Sequence, residues 1–230
     1  EPPATQPEPA GPQTVPLAGM RAAIARRMHQ SLQDMAQLTL HTEADVTELK
    51  AYRAWRKAEG VTYTDLLVRA CALALSRHPR LNARLDGDRI VLLPDVHIGL
   101  AVALPEGLVV PVIRNAAVRS VSQIARERAR LVDRARAGQL NANEMSGSTF
   151  TVTNLGMFDV DAFTPIVNPP EAAILGVGRI VEKVVIYKEK IAQRAMMTLS
   201  LSFDHRLVDG APAAAFLQSV KQTLEEPATL

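Results

Sequence analysis

The hydrophobic pattern of the chain changes near residue 81, and this change limits the folds that the sequence can adopt. Before it, apolar residues recur mainly at helical spacing, as in the stripe formed by Met20, Ile24, Met28, Leu32 and Met35. After it, short apolar runs with a period of two indicate strands. Strands and helices do not alternate strictly, so the sequence predicts an α/β two-layer sandwich with a mixed β-sheet rather than a doubly wound fold.

Capping and stop signals mark the helix boundaries. Asp45 or Thr47 is predicted to cap a helix that follows a strand, and Pro79 is predicted to end the next helix. Ser120, followed three residues later by Gln123, has the pattern of a capping box and predicts the start of a long helix.

Strand signals dominate the second half of the chain. Turn sequences at residues 86–88 and 105–107 predict two hairpins, with strands at residues 81–85, 89–93, 97–104 and 108–113. Further strands are predicted at residues 149–153, 173–177, 180–188 and 196–203. A final helix is predicted over residues 212–224.

The first 16 residues, EPPATQPEPAGPQTVP, are rich in proline and contain almost nothing to bury. This composition predicts an extended, semi-rigid linker, with a folded domain over residues 17–230. A linker at this position leads us to expect a further part of the protein before it.

Composition disfavours several classes of function. The net charge is only +2 and aromatic residues make up 4%, so neither nucleic acid nor an anionic membrane is an expected partner. No run of apolar residues approaches the length of a membrane helix. The single cysteine, Cys71, lies in an apolar run and is interpreted as a buried core residue, so a reducing, cytoplasmic location is expected.

The strongest local signal is His205, which lies between a predicted strand and a predicted helix. Asp204, Arg206 and Asp209 surround it in the sequence, and Gly210 follows. A side chain at such a junction can be directed into a cleft by a rigid sheet. The residues alone leave a salt-bridged corner as an alternative, whereas a metal site lacks a fourth ligand at suitable spacing.

Four stretches of sequence then resemble the catalytic domain of dihydrolipoamide acyltransferases, the core subunits of 2-oxo-acid dehydrogenase complexes. The first is LSLSFDHRLVDG at residues 199–210. The others are GLVVPVIR at 107–114, TFTVTNLG at 149–156 and FTPIVNPPEAAILG at 163–176. The resemblance covers about residues 16–230 and implies the CoA-dependent acyltransferase fold that is also found in chloramphenicol acetyltransferase.

The resemblance implies transfer of an acyl group between a dihydrolipoamide thiol and coenzyme A. His205 would act as the general base, since a neutral imidazole can remove a thiol proton near neutral pH. Thr153 would donate a hydrogen bond to the tetrahedral oxyanion, although the family usually has serine there. In the family this hydroxyl meets the histidine across a subunit boundary.

Two supporting roles are also implied by the resemblance. Asp209 is interpreted as a residue that supports the His205 loop through a salt bridge to Arg26 or Arg27, and not as a proton relay. Arg53 lies where the family places an arginine that contacts the nucleotide of coenzyme A. No metal is implied.

The resemblance further implies a homotrimer that builds a cubic 24-subunit or dodecahedral 60-subunit core. The lipoyl group would be carried on a separate domain, and the partners would be lipoyl domains, a 2-oxo-acid dehydrogenase and dihydrolipoamide dehydrogenase. The turn TNLGMF at residues 153–158 resembles that of the acetyl-transferring members more than that of the succinyl type, which favours acetyl transfer. Branched-chain or succinyl transfer, a purely structural scaffold and a free-standing acetyltransferase for a small acceptor stay as alternatives.

Overall fold

The computed structural model describes residues 11–105 and 107–230. Most of the predicted linker, residues 1–10, therefore lies outside the described residues, as does Glu106 in the second predicted turn. Residues 11–18 contain no helix or strand and are exposed.

Five helices of eight or more residues are present in the described part of the chain. They are α1 (Gly19–Asp34), α2 (Thr47–Trp55), α3 (Tyr63–Arg77), α4 (Val121–Arg136) and α5 (Gly210–Glu225). The predicted capping box of α4 is confirmed: the Gln123 N–H donates to Ser120 Oγ, and the Ser120 N–H donates to Gln123 Oε1. The helix predicted after Asp45 is present, but the predicted cap is wrong: its N-cap residue is Val46, which has no side-chain cap, while Asp45 Oδ1 accepts the N–H of Thr47, the first helical residue.

The predicted mixed sheet is confirmed. The strands of the described residues are β1 Gln37–Asp45, β2 Ala83–Asp86, β3 Arg89–Leu92, β4 Ile98–Leu100, β5 Val102–Leu104, β6 Gly107–Val109, β7 Val112–Ile113, β8 Phe150–Asn154, β9 Ala173–Tyr187 and β10 Lys190–Asp204. Six of them form the sheet in the order β1-β10-β9-β8-β4-β7, with β4, β8 and β9 parallel and the other pairs antiparallel. Short hairpins β2-β3 and β5-β6 lie beside it.

The two faces of β10 differ in polarity, as period-two alternation requires. Leu199, Leu201 and Phe203 are fully buried in the main core cluster, which also contains buried residues of α3 and α5. The opposite face carries Ser200 and Ser202, which are also buried. The sheet and the helices on its apolar face form the predicted two layers.

The second predicted hairpin is present but interrupted. Its outer part pairs Val102 with Val109, and its inner part pairs Ile98 with Ile113. Between them the N–H of Leu100 donates to the carbonyl of Pro111, and each predicted long strand becomes two short ones. Proline cannot donate to the ladder, which explains the interruption on that side.

The prediction of separate strands at residues 173–177 and 180–188 is wrong, because both belong to β9. Gly178 does not end the strand; it allows a close backbone approach, since a β-carbon there would lie 1.9 Å from the carbonyl oxygen of Asp161. The ladder with β10 shifts register at this point, from Leu199–Val177 to Met197–Ile180. Beyond Met196, where the pairing with β1 ends, β9 and the early part of β10 form a two-stranded ribbon.

The apolar stripe predicted from helical spacing lies on α1 but is only partly buried. Met20 and Leu32 are 43% and 53% exposed, while Ala22 and Ser31 are buried. Ile24 and Met20 lie beside Gly107 of the β5-β6 hairpin, while the later part of α1 packs against the loop before β9 through polar contacts. Ser31 Oγ donates to the carbonyl of Val167, a contact that helical periodicity cannot reveal.

Candidate active site

His205 is the first residue after β10, and its backbone is fixed on both sides. Its N–H donates to the carbonyl of Ala36 at 2.8 Å, just after α1. The preceding N–H, of Asp204, donates to the carbonyl of Ala172 at 2.9 Å, just before β9. The turn is therefore held between two segments that lie far apart in the sequence.

A buried carboxylate completes this framework. Asp204 is fully buried, and its Oδ1 accepts the backbone N–H groups of Ala36 and Arg206. Its Oδ2 lies 2.7 Å from Nη2 of Arg206, and this hydrogen bond raises the pKa of the arginine. The salt-bridged corner suggested by the sequence is real, but it belongs to Asp204 and Arg206 and leaves the histidine ring free.

The ring of His205 is half-exposed, with 43% of its side chain accessible. Its centroid lies 5.8 Å from that of Phe203. Asp209 Oδ1 lies 3.7 Å from His205 Nδ1, which is longer than a hydrogen bond, and the Asp209 side chain is 85% exposed. This accessible imidazole on a rigid support is suited to proton transfer with a bound thiol.

The predicted ion pair between Asp209 and Arg27 does not form within the chain. Arg27 Nε donates to Asn168 Oδ1 at 2.9 Å, and its Nη2 donates to the carbonyl of Pro169. Arg26 is exposed and makes no ion pair among the described residues. The sequence could not distinguish these partners, because all of them lie far from α1 along the chain.

Thr153 lies in β8 at the other end of the sheet. It pairs with Gly176 of β9, which in turn pairs with Ser200 of β10. His205 lies five positions beyond Ser200, so strand rise and strand spacing place it roughly 15–20 Å from Thr153 within one chain. One chain therefore does not bring the two predicted site residues together.

Aromatic and proline side chains cover the sheet beside Thr153. A β-carbon on its strand neighbour Gly176 would lie 3.0 Å from Cζ of Phe163 and 3.2 Å from Pro165. Paired residues project from the same face of a sheet, so Phe163 covers the strand position next to Thr153 on the face that carries its side chain. The sequence motif contains Phe163, but only the fold reveals this proximity.

Arg53 lies in the last turn of α2 with its guanidinium over the ring of Tyr63, 5.4 Å from the ring centroid. Its Nε is buried and has no hydrogen-bond partner among the described residues. A half-buried arginine with an unused donor fits an anionic ligand such as a phosphate group.

Among residues 11–105 and 107–230, no three His, Cys, Asp or Glu side chains lie together as a metal site would require. None of the helices in these ranges has the length and apolar content needed to cross a membrane. Cys71 is fully buried, and burial raises the pKa of its thiol well above the usual range.

Comparison with known families decides the identity of this fold. Residues 9–230 match the catalytic domain of the 2-oxoacid dehydrogenase acyltransferases. The chain belongs to this family. The resemblance predicted from the four motifs is thereby confirmed, and the match covers almost the whole sequence.

Two curated relatives illustrate the range of this acyltransferase family. The acetyltransferase component of the acetoin cleaving system of Bacillus subtilis is 46% identical over 95% of the chain and 56% of its own length. The acyltransferase component of the branched-chain alpha-keto acid dehydrogenase complex of Pseudomonas aeruginosa is 44% identical over 95% of the chain and 53% of its own length. The chain thus spans about half the length of these relatives.

Solved structures agree with the family assignment. The cubic core of a pyruvate dehydrogenase multienzyme complex is 39% identical and superposes with a TM-score of 0.91, covering 98% of both chains. Chloramphenicol acetyltransferase has a TM-score of 0.54 at 16% identity, covering 86% of this chain and 94% of its own. The second comparison concerns the fold alone and confirms the predicted acyltransferase fold.

Proposed function

We propose that the chain is the catalytic core of a 2-oxo-acid dehydrogenase complex, in which it transfers an acyl group between dihydrolipoamide and coenzyme A. The observation that carries the proposal is the half-exposed imidazole of His205 on a framework of buried hydrogen bonds. Such an arrangement keeps a base accessible while it restricts the base's position. Membership of the acyltransferase family supports the same reaction.

His205 would accept the proton of the attacking thiol while the thiol sulfur adds to the acyl carbonyl of the thioester. The Thr153 hydroxyl of a neighbouring chain would donate to the oxyanion of the tetrahedral intermediate. When the intermediate collapses, the second sulfur leaves and takes the proton from His205. One thioester is broken and one is formed, so the base is regenerated without any other reactant.

Acetyl is the acyl group that we propose. Phe163 forms a wall over Gly176, and Gly176 is the strand neighbour of Thr153. An aromatic side chain at this position restricts the space beside the reacting carbonyl, which favours a small acyl group. If Phe163 sets the limit, Phe163→Ala should raise kcat/KM for isobutyryl-CoA relative to acetyl-CoA, and an unchanged ratio would count against this assignment.

The separation of Thr153 from His205 supports an active site between chains. We therefore propose a homotrimer that assembles into a hollow core of 24 or 60 subunits, and light scattering distinguishes these sizes. The proposed partners are lipoyl domains, a 2-oxo-acid dehydrogenase and dihydrolipoamide dehydrogenase, with residues 1–16 as the linker to the preceding part. Arg53 is the proposed contact for coenzyme A, and the buried free thiol of Cys71 fits a cytoplasmic location.

The direct test is an assay with acetyl-CoA and dihydrolipoamide. We expect S-acetyl product from the wild type, and a loss of roughly 10²- to 10⁴-fold in His205→Ala. His29→Ala, which removes an exposed histidine of α1, is the matched control. A wild type without turnover would support the scaffold alternative, and turnover that survives His205→Ala would exclude the proposed base.

A further inference from the structure

Glu171 is a buried acidic residue for which the reaction above gives no role. It is 2% exposed and lies just before β9. Its Oε1 accepts the hydroxyl of Ser148 at 2.5 Å and the amide Nδ2 of Asn168 at 2.8 Å. Burying a carboxyl group costs free energy unless hydrogen bonds compensate for it, and the two bonds to Oε1 provide this compensation. They also tie Glu171 to Ser148 and Asn168.

The contacts of Glu171 lead to α1. Asn168 donates to Glu171 through Nδ2 and accepts from Arg27 Nε through Oδ1. Arg27 also donates to the carbonyl of Pro169. Glu171 therefore fixes the amide of Asn168 in the orientation that binds Arg27, and through it fixes α1 against the loop.

The same two segments hold the His205 turn. Ala36 follows α1 and accepts the N–H of His205, while Ala172 follows Glu171 and accepts the N–H of Asp204. The relative position of Ala36 and Ala172 thus decides where the imidazole lies. Ser31 and Gln37 hold this loop at Val167. The end of the loop nearest Ala172 is held by the hydrogen bonds of Glu171.

We infer that Glu171 is a positioning residue for His205, acting through Asn168 and Arg27 on one side and through Ala172 on the other. Glu171 touches neither substrate nor the reacting atoms in this role. The expected effect of Glu171 on the rate rests on the proposed acyl transfer. Its effect on the His205 turn can be measured without any reaction.

The rate prediction separates positioning from binding. Glu171→Ala should lower kcat by roughly 10- to 100-fold, because small displacements of a reacting group carry penalties of this size. The KM values for acetyl-CoA and dihydrolipoamide should change little. Glu171→Gln should restore most of the rate: its amide oxygen can replace Oε1, and its nitrogen would take the place of Oε2, which has no partner among the described residues.

Hydrogen exchange of the intact assembly, followed by mass spectrometry, tests the turn directly. Peptides that contain Asp204 and His205 should exchange faster in Glu171→Ala and in Asn168→Ala than in the wild type. Asp65→Asn is the matched control, because Asp65 is also a fully buried acidic residue but binds Arg128 and caps α3.

The outcomes are distinct. Faster exchange at Asp204 and His205 with a selective loss of kcat supports the inference. Unchanged exchange there in folded Glu171→Ala or Asn168→Ala overturns it, and Asn168→Ala alone carries the test if Glu171→Ala does not fold. An inactive wild type would count against the proposed reaction, while the exchange result would still decide the role of Glu171.

Discussion

The two halves of the proposed active site lie at opposite ends of one sheet and are built differently. At the His205 end, a fully buried carboxylate and backbone hydrogen bonds fix the turn. At the Thr153 end, β8 leads into a short turn whose Met157 and Phe158 are 74% and 63% exposed. Exposed apolar side chains of this kind are typical of contact surfaces. One end thus supplies a rigid reactive group, and the other supplies a surface that a second chain can cover.

The largest effect should come from separating the two ends on different chains. His205→Ala and Thr153→Ala chains should each be nearly inactive alone. Mixed assemblies, purified through a different tag on each chain, should recover activity, because some interfaces then combine an intact His205 with an intact Thr153.

Assemblies of the double variant His205→Ala/Thr153→Ala with Thr153→Ala are the control, since they contain no complete pair. Failure of verified mixed assemblies to recover would place both residues in one chain's site, against the separation seen here.

A second prediction concerns the framework at the His205 end. Burial raises the pKa of Glu171 to about 7 from its usual 4.5. The folded chain therefore holds this proton more tightly than the unfolded chain, and stability falls as the pH rises from 4.5 to 7, by roughly 3 kcal/mol. The unfolding temperature of Glu171→Gln should rise relative to wild type between pH 5 and pH 8. Glu189→Gln, in the exposed turn of the ribbon, should show no such trend, and a pH-independent difference for Glu171→Gln would contradict the raised pKa.

A third prediction compares an ion pair at each end. Asp204→Asn removes the charge that binds Arg206 in a buried site and should cost about 2 kcal/mol of stability, with a parallel loss of kcat. Asp161→Asn, which weakens the exposed pair with Arg179, should change the unfolding temperature little. Thermal unfolding of the two variants compares the stability contributed by the buried pair with that contributed by the exposed pair. Equal destabilisation would contradict the expected difference between the two pairs.

The smallest effect is expected for Asp209→Asn. Its carboxylate is exposed and 3.7 Å from the imidazole, so kcat should fall by less than about threefold. Steady-state kinetics are sufficient to measure this. A much larger loss would show that Asp209 has a charged partner in the assembled protein, in the role that the sequence suggested for Arg26 or Arg27.

Local signals predicted the parts of the structure that depend on neighbouring residues. The capping box at Ser120, the helix that follows Asp45 and the strand before His205 are examples. Contacts between distant segments could not be predicted in this way. Arg27 binds Asn168, which lies 141 positions away, and Glu171 binds Ser148, which lies 23 positions away.

The residues of the candidate site show the same difference between local signals and distant contacts. His205 and Thr153 were predicted because each lies in a motif, whereas Glu171 was missed although it lies in one too. A carboxyl group directly before an apolar strand was the available signal. Its meaning depends on burial, which the sequence does not provide.

The register shift between β9 and β10 also determines how insertions and deletions in these strands would change the face to which their side chains project. Side chains alternate with a period of two, so the extra residue of β9 near Gly178 separates the phase of the ribbon from that of the sheet. Insertions or deletions in the ribbon leave the alternation after Leu199 untouched. A single deletion between Leu199 and Asp204, in contrast, would turn Asp204 towards the apolar face. The orientation of the His205 turn therefore depends on the number of residues between Leu199 and Asp204 and not on the length of the ribbon.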